Sequence, residues 1–157
     1  MPRAKARLLK ENILVFNEGR TYEARPEGWD SEGVLNTIKR TFTLKYHMFD
    51  EQDKPVSIVQ YNFLHNYILV KRDAGDRQIK MPVFDLNNQR YYIKEKISGF
   101  LIFPVDKVSQ GVIIGEGTKS MKEYSIEFVV NDENFNDILK EFAAGFLIRW
   151  MSFNIGI

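Results

Sequence analysis

Two histidines, His47 and His65, are the only imidazoles in this chain, and there is no cysteine. A bound transition metal needs three or four ligands at matched spacing. No second His lies near either histidine, and Asp50 and Glu51, beside His47, read as part of a turn. No metal and no other cofactor is therefore expected, and thiolate chemistry and disulfides are excluded. Ser57, Ser98, Ser109, Ser120, Ser125 and Ser152 lack the G-x-S-x-G setting of an exposed nucleophilic serine. The stretch from Gly111 through Gly115 to Gly117, followed by Thr118-Lys119-Ser120, invites comparison with a phosphate loop. Such a loop needs a helix after its glycines. Tyr124 to Val130 instead reads as a strand, so the glycines read as a β-turn. The carboxylates Asp50, Asp53, Asp73, Asp76, Asp85, Asp132 and Glu133 fall in turns, which accounts for them without paired acid–base chemistry. The chain carries no catalytic signature and is not expected to be an enzyme.

The basic residues are more informative. Arg3, Lys5, Arg7 and Lys10 fall in a stretch without an acid. Lys71, Arg72, Arg77, Lys80, Arg90, Lys94 and Lys96 outnumber Asp73, Asp76, Asp85 and Glu95, with Tyr91 and Tyr92 among them. Hairpins that brought these cations together would build a patch for anionic headgroups, each cation contributing about 1 kcal/mol near an anionic surface. A solvated face with local ion pairs, worth roughly 0–1 kcal/mol each, is the plainer alternative.

The elements that would position them are mostly strands. At 157 residues, with 44% hydrophobic and 13% aromatic residues, the chain has the size and composition of one domain (1–157) with a true core. A net charge of +1 gives no general attraction to nucleic acid. Alternating segments separated by turns run from Ile13 to Val130, at the spacing of a sandwich or barrel. Ala24 to Gly33 reads as a loop, Thr37 to Phe49 as a strand and Val112 to Ile114 as another. Residues 1–10 read as a frayed basic tail. No signal peptide is expected, since no apolar run of useful length follows the basic start. Phe49-Asp50 and Phe84-Asp85 open two similar turns, with Asp53 matching Asn88 further on.

The period changes near Asn134. Phe135, Ile138, Leu139, Phe142, Phe146 and Phe153 recur at helical spacing, so 134–153 reads as a helix capped by Asn134. Its second half, Phe142 to Ile148, has no polar face, and a helix apolar all round is buried all round. The stretch from Phe142 to Ile157 is too short for a membrane span, which needs about 20 apolar residues, and Arg149 lies inside it. No transmembrane segment is expected.

Strands with Asp- or Asn-led hairpins, followed by one hydrophobic C-terminal helix, resemble the tubby C-terminal-like superfamily, which includes the LURP-one-related proteins and phospholipid scramblases. The residues that carry the resemblance are Phe49-Asp50-Glu51-Gln52-Asp53, Phe84-Asp85-Leu86-Asn87-Asn88 and the helix Phe135 to Phe153. It departs from that family at Asp53 and Asn88, where family turns often carry Gly, and in the long connection from Ala24 to Asn36. The resemblance implies a closed antiparallel barrel around the helix. The fold expected is thus mainly β, a single antiparallel barrel or barrel-like sheet enclosing one hydrophobic C-terminal helix. A pleckstrin-homology-like barrel and a β-sandwich with a terminal helix are the rival folds. The resemblance also implies a non-enzymatic module for anionic phospholipid at a membrane surface, with Lys71, Arg72, Arg77, Lys80, Arg90 and Lys94 as the contacts. The alternative is a structural or assembly protein whose β-domain scaffolds a protein partner. A cytoplasmic place, peripheral at a membrane in the lipid reading, accompanies these expectations.

Overall fold

The computed structural model describes residues 2–27 and 43–153. Twelve strands form one antiparallel sheet. They are β1 (Arg3–Leu9), β2 (Asn12–Asn17), β3 (Arg20–Pro26), β4 (Thr43–Phe49), β5 (Pro55–Asn62) and β6 (Tyr67–Lys71). The second half holds β7 (Arg77–Lys80), β8 (Val83–Leu86), β9 (Gln89–Lys96), β10 (Gly99–Pro104), β11 (Gly115–Ser120) and β12 (Ser125–Val130). Helix α1 (Leu139–Phe153) follows.

The spatial order is β7-β6-β5-β4-β3-β2-β1-β12-β11-β10-β9-β8. Each strand pairs with its sequence neighbour, and β1 pairs with β12 from Arg3↔Val129 to Arg7↔Ser125. The two edge strands, β7 and β8, are consecutive in the chain. They meet at Met81-Pro82, where the Met81 amide donates to the Asn66 carbonyl (3.2 Å) and the Ile93 amide to that of Pro82 (2.8 Å). The sheet is therefore a nearly closed barrel, which leaves little unpaired edge.

Alternation puts one side of every strand on the helix. In β5, Ser57, Val59 and Tyr61 are buried while their neighbours are less so. Residues 3–9, expected to fray, are instead the strand that closes the barrel. Ala4 and Ala6 point inward and are fully buried, between the outward Arg3, Lys5 and Arg7. Alternating alanines are a weak strand signal, but their small volume lets α1 pack against β1. Glycine at 145 makes a similar allowance on the helix: a Cβ there would lie 2.5 Å from Ile68 Cγ2.

Leu139 to Trp150 is buried on every side, Lys140 excepted, as an enclosed helix must be. Phe142 meets Phe128 (4.9 Å between ring centroids), Phe135 (5.5 Å) and Phe146 (4.8 Å), and Phe146 meets Phe100 (4.8 Å). Each such ring contributes about 1.5–3 kcal/mol by burial, and edge-to-face pairing adds to that.

Boundaries differ from expectation in four places. The α-helix starts at Leu139 rather than 134, after a short 3-10 turn (Glu133–Phe135) capped by Asp132, whose carboxylate accepts from the Asn134 amide. Asp132, not Asn134, is the cap. The expected loop from Ala24 begins only after Pro26, the last residue of β3. Of the expected strand Thr37 to Phe49, β4 supplies Thr43–Phe49, and its earlier part lies outside the described residues, as does most of the long connection. Val112 to Ile114 is not a strand, and Gly115 and Gly117 are within β11 rather than a turn. A Cβ on Gly117 would fall 2.5 Å from the Phe128 ring, its partner across the ladder, so the glycine makes room for a core aromatic.

The turns that carry the family resemblance do take glycine-like geometry without glycine. Asp53 has φ of 64° and Asn88 of 65°. Asp and Asn are the non-glycine residues that tolerate this region best.

Candidate functional site

The up-and-down order sends alternate turns to opposite ends of the barrel. Arg149, near the end of α1, bonds to Glu95 and Asn66, and Trp150 stacks on Tyr124 at 4.6 Å. The end where α1 finishes therefore carries the β1–β2, β5–β6, β7–β8, β9–β10 and β11–β12 turns. Arg72 and Asn87 touch residues just before α1, so the start end carries the β2–β3, β4–β5, β6–β7 and β8–β9 turns.

The six expected contact cations lie along one wall but do not act alike. Lys71 ends β6 and Arg77 begins β7, close to the start end, with Arg77 paired in register to Val70. Lys80 faces Tyr67 across the same ladder, toward the finish end. Arg90 and Lys94 stand on β9, separated from β7 by β8. Arg72 is drawn into the fold. Its guanidinium donates to the Asp137 carbonyl at 2.9 Å and faces that carboxylate at 3.6 Å. Arg90 pairs with Asp85 at 3.0 Å. Among the described residues, Lys71, Arg77, Lys80 and Lys94 make no ion pair; Lys71, Lys80 and Lys94 are exposed, while Arg77, in register with buried Val70, is half-buried and donates to the Asp76 carbonyl at 3.4 Å.

Charge is sorted along the barrel axis. The start end holds Glu18, Asp50, Glu51, Asp53, Asp73, Asp76, Asp106, Asp132, Glu133 and Asp137, against Lys54, Arg72 and Lys107 on the same turns. The finish end holds Lys10 and Lys122 on turns and Lys96 at the end of β9, with Lys80 and Lys94 just inside it. Among the described residues its acids, Glu11 excepted, are engaged. Glu27 pairs with His47 (3.0 Å) and Lys45 (3.4 Å), Glu123 with Lys5 (2.6 Å), and Glu95 with Arg149 (3.1 Å) and Lys119 (3.3 Å). The hydrogen bond to His47 holds the Glu27 carboxyl below its ordinary range.

The finish end also carries unusual apolar exposure. Ile97 is 102% exposed, Met121 74% and Leu64 70%, the three most exposed large apolar side chains among the described residues. All three occupy tips of finish-end turns, and Leu9 and Phe153 lie at the same end.

Three polar clusters inside the barrel were not expected. Both guanidinium nitrogens of Arg149 donate to the Glu95 carboxylate (3.2 and 3.1 Å), and its Nε donates to Asn66. Burial pushes the Glu95 carboxyl up, but the bonds and charge of Arg149, with Lys119, outweigh it and hold the group below its usual range. Glu141 is fully buried and accepts from the Ser57 hydroxyl at 2.9 Å, with Lys140 at 3.4 Å. The Tyr91 hydroxyl donates to Asp132 (2.7 Å) and accepts from Asn134 (2.9 Å), and burial pushes it up to about 12. The sequence did hold a signal for two of these. A charge inside an all-apolar helix must find a partner, and Glu141 and Arg149 are such charges.

His65 stacks on Tyr67 and His47 bonds to Glu27, so neither histidine joins a serine or a second histidine. Among the described residues no group of three His, Asp or Glu side chains is placed to hold a metal ion. No helix among them is long and apolar enough to cross a membrane. No known protein family, curated protein or solved structure matches this chain.

Proposed function

We propose that this chain is a non-enzymatic binding module for anionic phospholipid at a membrane surface, of the tubby-like kind that the sequence resembles. The observation that carries the reading is the set of cations without ion partners, Lys71, Arg77, Lys80 and Lys94, on one wall of the barrel, three of them fully outward. Most other cations on the strands, among them Lys5, Arg25, Lys45, Arg90 and Lys119, are spent on carboxylates. Free cations near an anionic surface are worth about 1 kcal/mol each, so a few suffice for peripheral, salt-sensitive attachment. A rigid barrel closed around its helix suits such a role, since it presents surface residues at fixed positions. The peripheral, cytoplasmic place belongs to the same proposal.

The test is co-sedimentation of the full chain with vesicles of phosphatidylcholine alone and with phosphatidylserine added, at low and high salt. Pelleting that requires the anionic lipid and weakens with salt is expected. No lipid-dependent pelleting at low salt removes the reading. A stable oligomer without lipid affinity in native mass spectrometry then favours a scaffold for protein assembly.

A further inference from the structure

The most exposed apolar side chains and lysines without an ion pair occur together. Ile97 follows Lys96, Met121 precedes Lys122, and Leu9 precedes Lys10. Leu64 sits beside His65 on the β5–β6 turn. Each pair tops a different finish-end turn, and polar residues such as Asn12, Asn66, Ser98 and Ser120 separate them. Turn tips are the usual place for polar or small residues, so a fully exposed Ile97 and a largely exposed Met121 at two of them ask for an occupant.

We propose that the barrel docks end-on to an anionic lipid leaflet, inserting Leu64, Ile97 and Met121 while Lys10, Lys96 and Lys122 lie among the headgroups. Two features favour a bilayer over a protein partner. The apolar tips are isolated projections, not a continuous groove or patch; a fluid interface accepts separate projections, whereas a protein partner needs a matching shape. The charge also fits. Among the described residues the acids at this end are paired with cations, Glu11 excepted, while Lys10, Lys96 and Lys122 are not. The start end, with its acidic turns, is turned away from a negative surface in this orientation. The proposal rests on the lipid reading above but moves the contact from the wall to the end. Of the four wall cations, it assigns a share to Lys80 and Lys94 and little to Lys71 and Arg77.

The experiment uses the full chain and vesicles of phosphatidylcholine with phosphatidylserine. Ile97→Asp/Met121→Asp, Lys96→Glu/Lys122→Glu and Lys71→Glu/Arg77→Glu are compared with the parent, each first checked for an unchanged melting temperature. The first two pairs should lower the partition coefficient at least tenfold and the third less than twofold. Since the chain has no cysteine, Ile97→Cys gives a single attachment point for an environment-sensitive fluorophore. Its emission should shift to the blue on binding and be quenched by lipids brominated on their acyl chains. If the parent binds and the tip variants bind equally well while Lys71→Glu/Arg77→Glu does not, end-on docking is wrong and the lipid reading stands. If the parent ignores anionic vesicles, both fall. If the parent self-associates without lipid and Ile97→Asp/Met121→Asp abolishes that, the end is an interface between copies and the proposal is overturned.

Discussion

Glu95→Gln should destabilise the protein by about 2 kcal/mol, through the arginine it leaves behind. Arg149 is 9% exposed at its side chain and Glu95 is 43% exposed. Breaking a fully buried ion pair costs about 3–5 kcal/mol, because the orphaned charge stays buried. An exposed pair is worth about 0–1 kcal/mol. This pair lies between, with the charge that matters on the buried side. Two charge-assisted hydrogen bonds are lost, at 3.2 and 3.1 Å, while the contact of Arg149 with Asn66 and its place 4.7 Å from the Phe153 ring remain. For a chain of this size, about 2 kcal/mol lowers the melting temperature by about 4–8 °C. Arg149→Met in the same background removes the orphaned charge, so the double variant should recover about 1–2 kcal/mol relative to additivity. The pH dependence follows from the depressed carboxyl of Glu95. Its stabilising contribution is present above the ordinary glutamate value of 4.5 and is lost as pH falls through the lower folded-state value. Urea titrations of the parent, both single variants and the double, from neutral pH down to acid, measure all of this. Additive single costs, or an acid limb in Glu95→Gln as steep as the parent's, would refute the assignment of Arg149 and Glu95 as a coupled buried pair.

Phe146→Asp should abolish folding, since it removes a ring packed on Phe100, Phe128 and Phe142 and places a carboxylate in the barrel interior; a parent-like circular dichroism melt would sink the enclosed-helix account. Gly145→Ala sets a helix-propensity gain of about 1 kcal/mol against overpacking on Ile68 that costs about 1–3 kcal/mol, so a net loss is expected in urea titrations, relieved by Ile68→Val. Tyr91 ionises near 12 when folded against an ordinary 10, so its contribution is whole below pH 10 and lost as pH rises toward about 12. Tyr91→Phe should flatten that alkaline limb and cost about 1–3 kcal/mol at neutral pH by orphaning Asp132 and Asn134.

The fold was legible where side-chain pattern and environment agree. Val56 to Gln60 alternates in the sequence and in burial, and the apolar run from Phe142 to Ile148 required enclosure. It was illegible where volume decides. Ala4 and Ala6 say little about strand formation, yet their smallness brings β1 to the helix. Val112 to Ile114 outscores Gly115-Glu116-Gly117 on any β scale, but Phe128 needs the space that Gly117 leaves, so the strand runs through the glycines. The candidate cations were legible as charges but not as free charges. The partner of Arg72, Asp137, lies 65 residues further on. The apolar tips were missed because an isolated Ile or Met in a turn has no periodicity to stand out against.

Near-neutral net charge conceals an alternation that only the topology makes visible. Along the chain, finish-end turns carry Lys10 beside Glu11 and Lys122 beside Glu123, whereas start-end segments carry Glu18, Asp50, Glu51, Asp53, Asp73, Asp76, Asp106, Asp132 and Glu133 against Lys54, Arg72 and Lys107. In an up-and-down barrel each hairpin reverses direction, so consecutive turns fall at opposite ends. Turns with excess acid that alternate with balanced ones in sequence are thereby gathered at one end in space, while cations on the strands keep the sum close to zero. A composition total cannot distinguish such an arrangement from a uniformly mixed surface, although only the sorted one has a preferred orientation at a charged boundary.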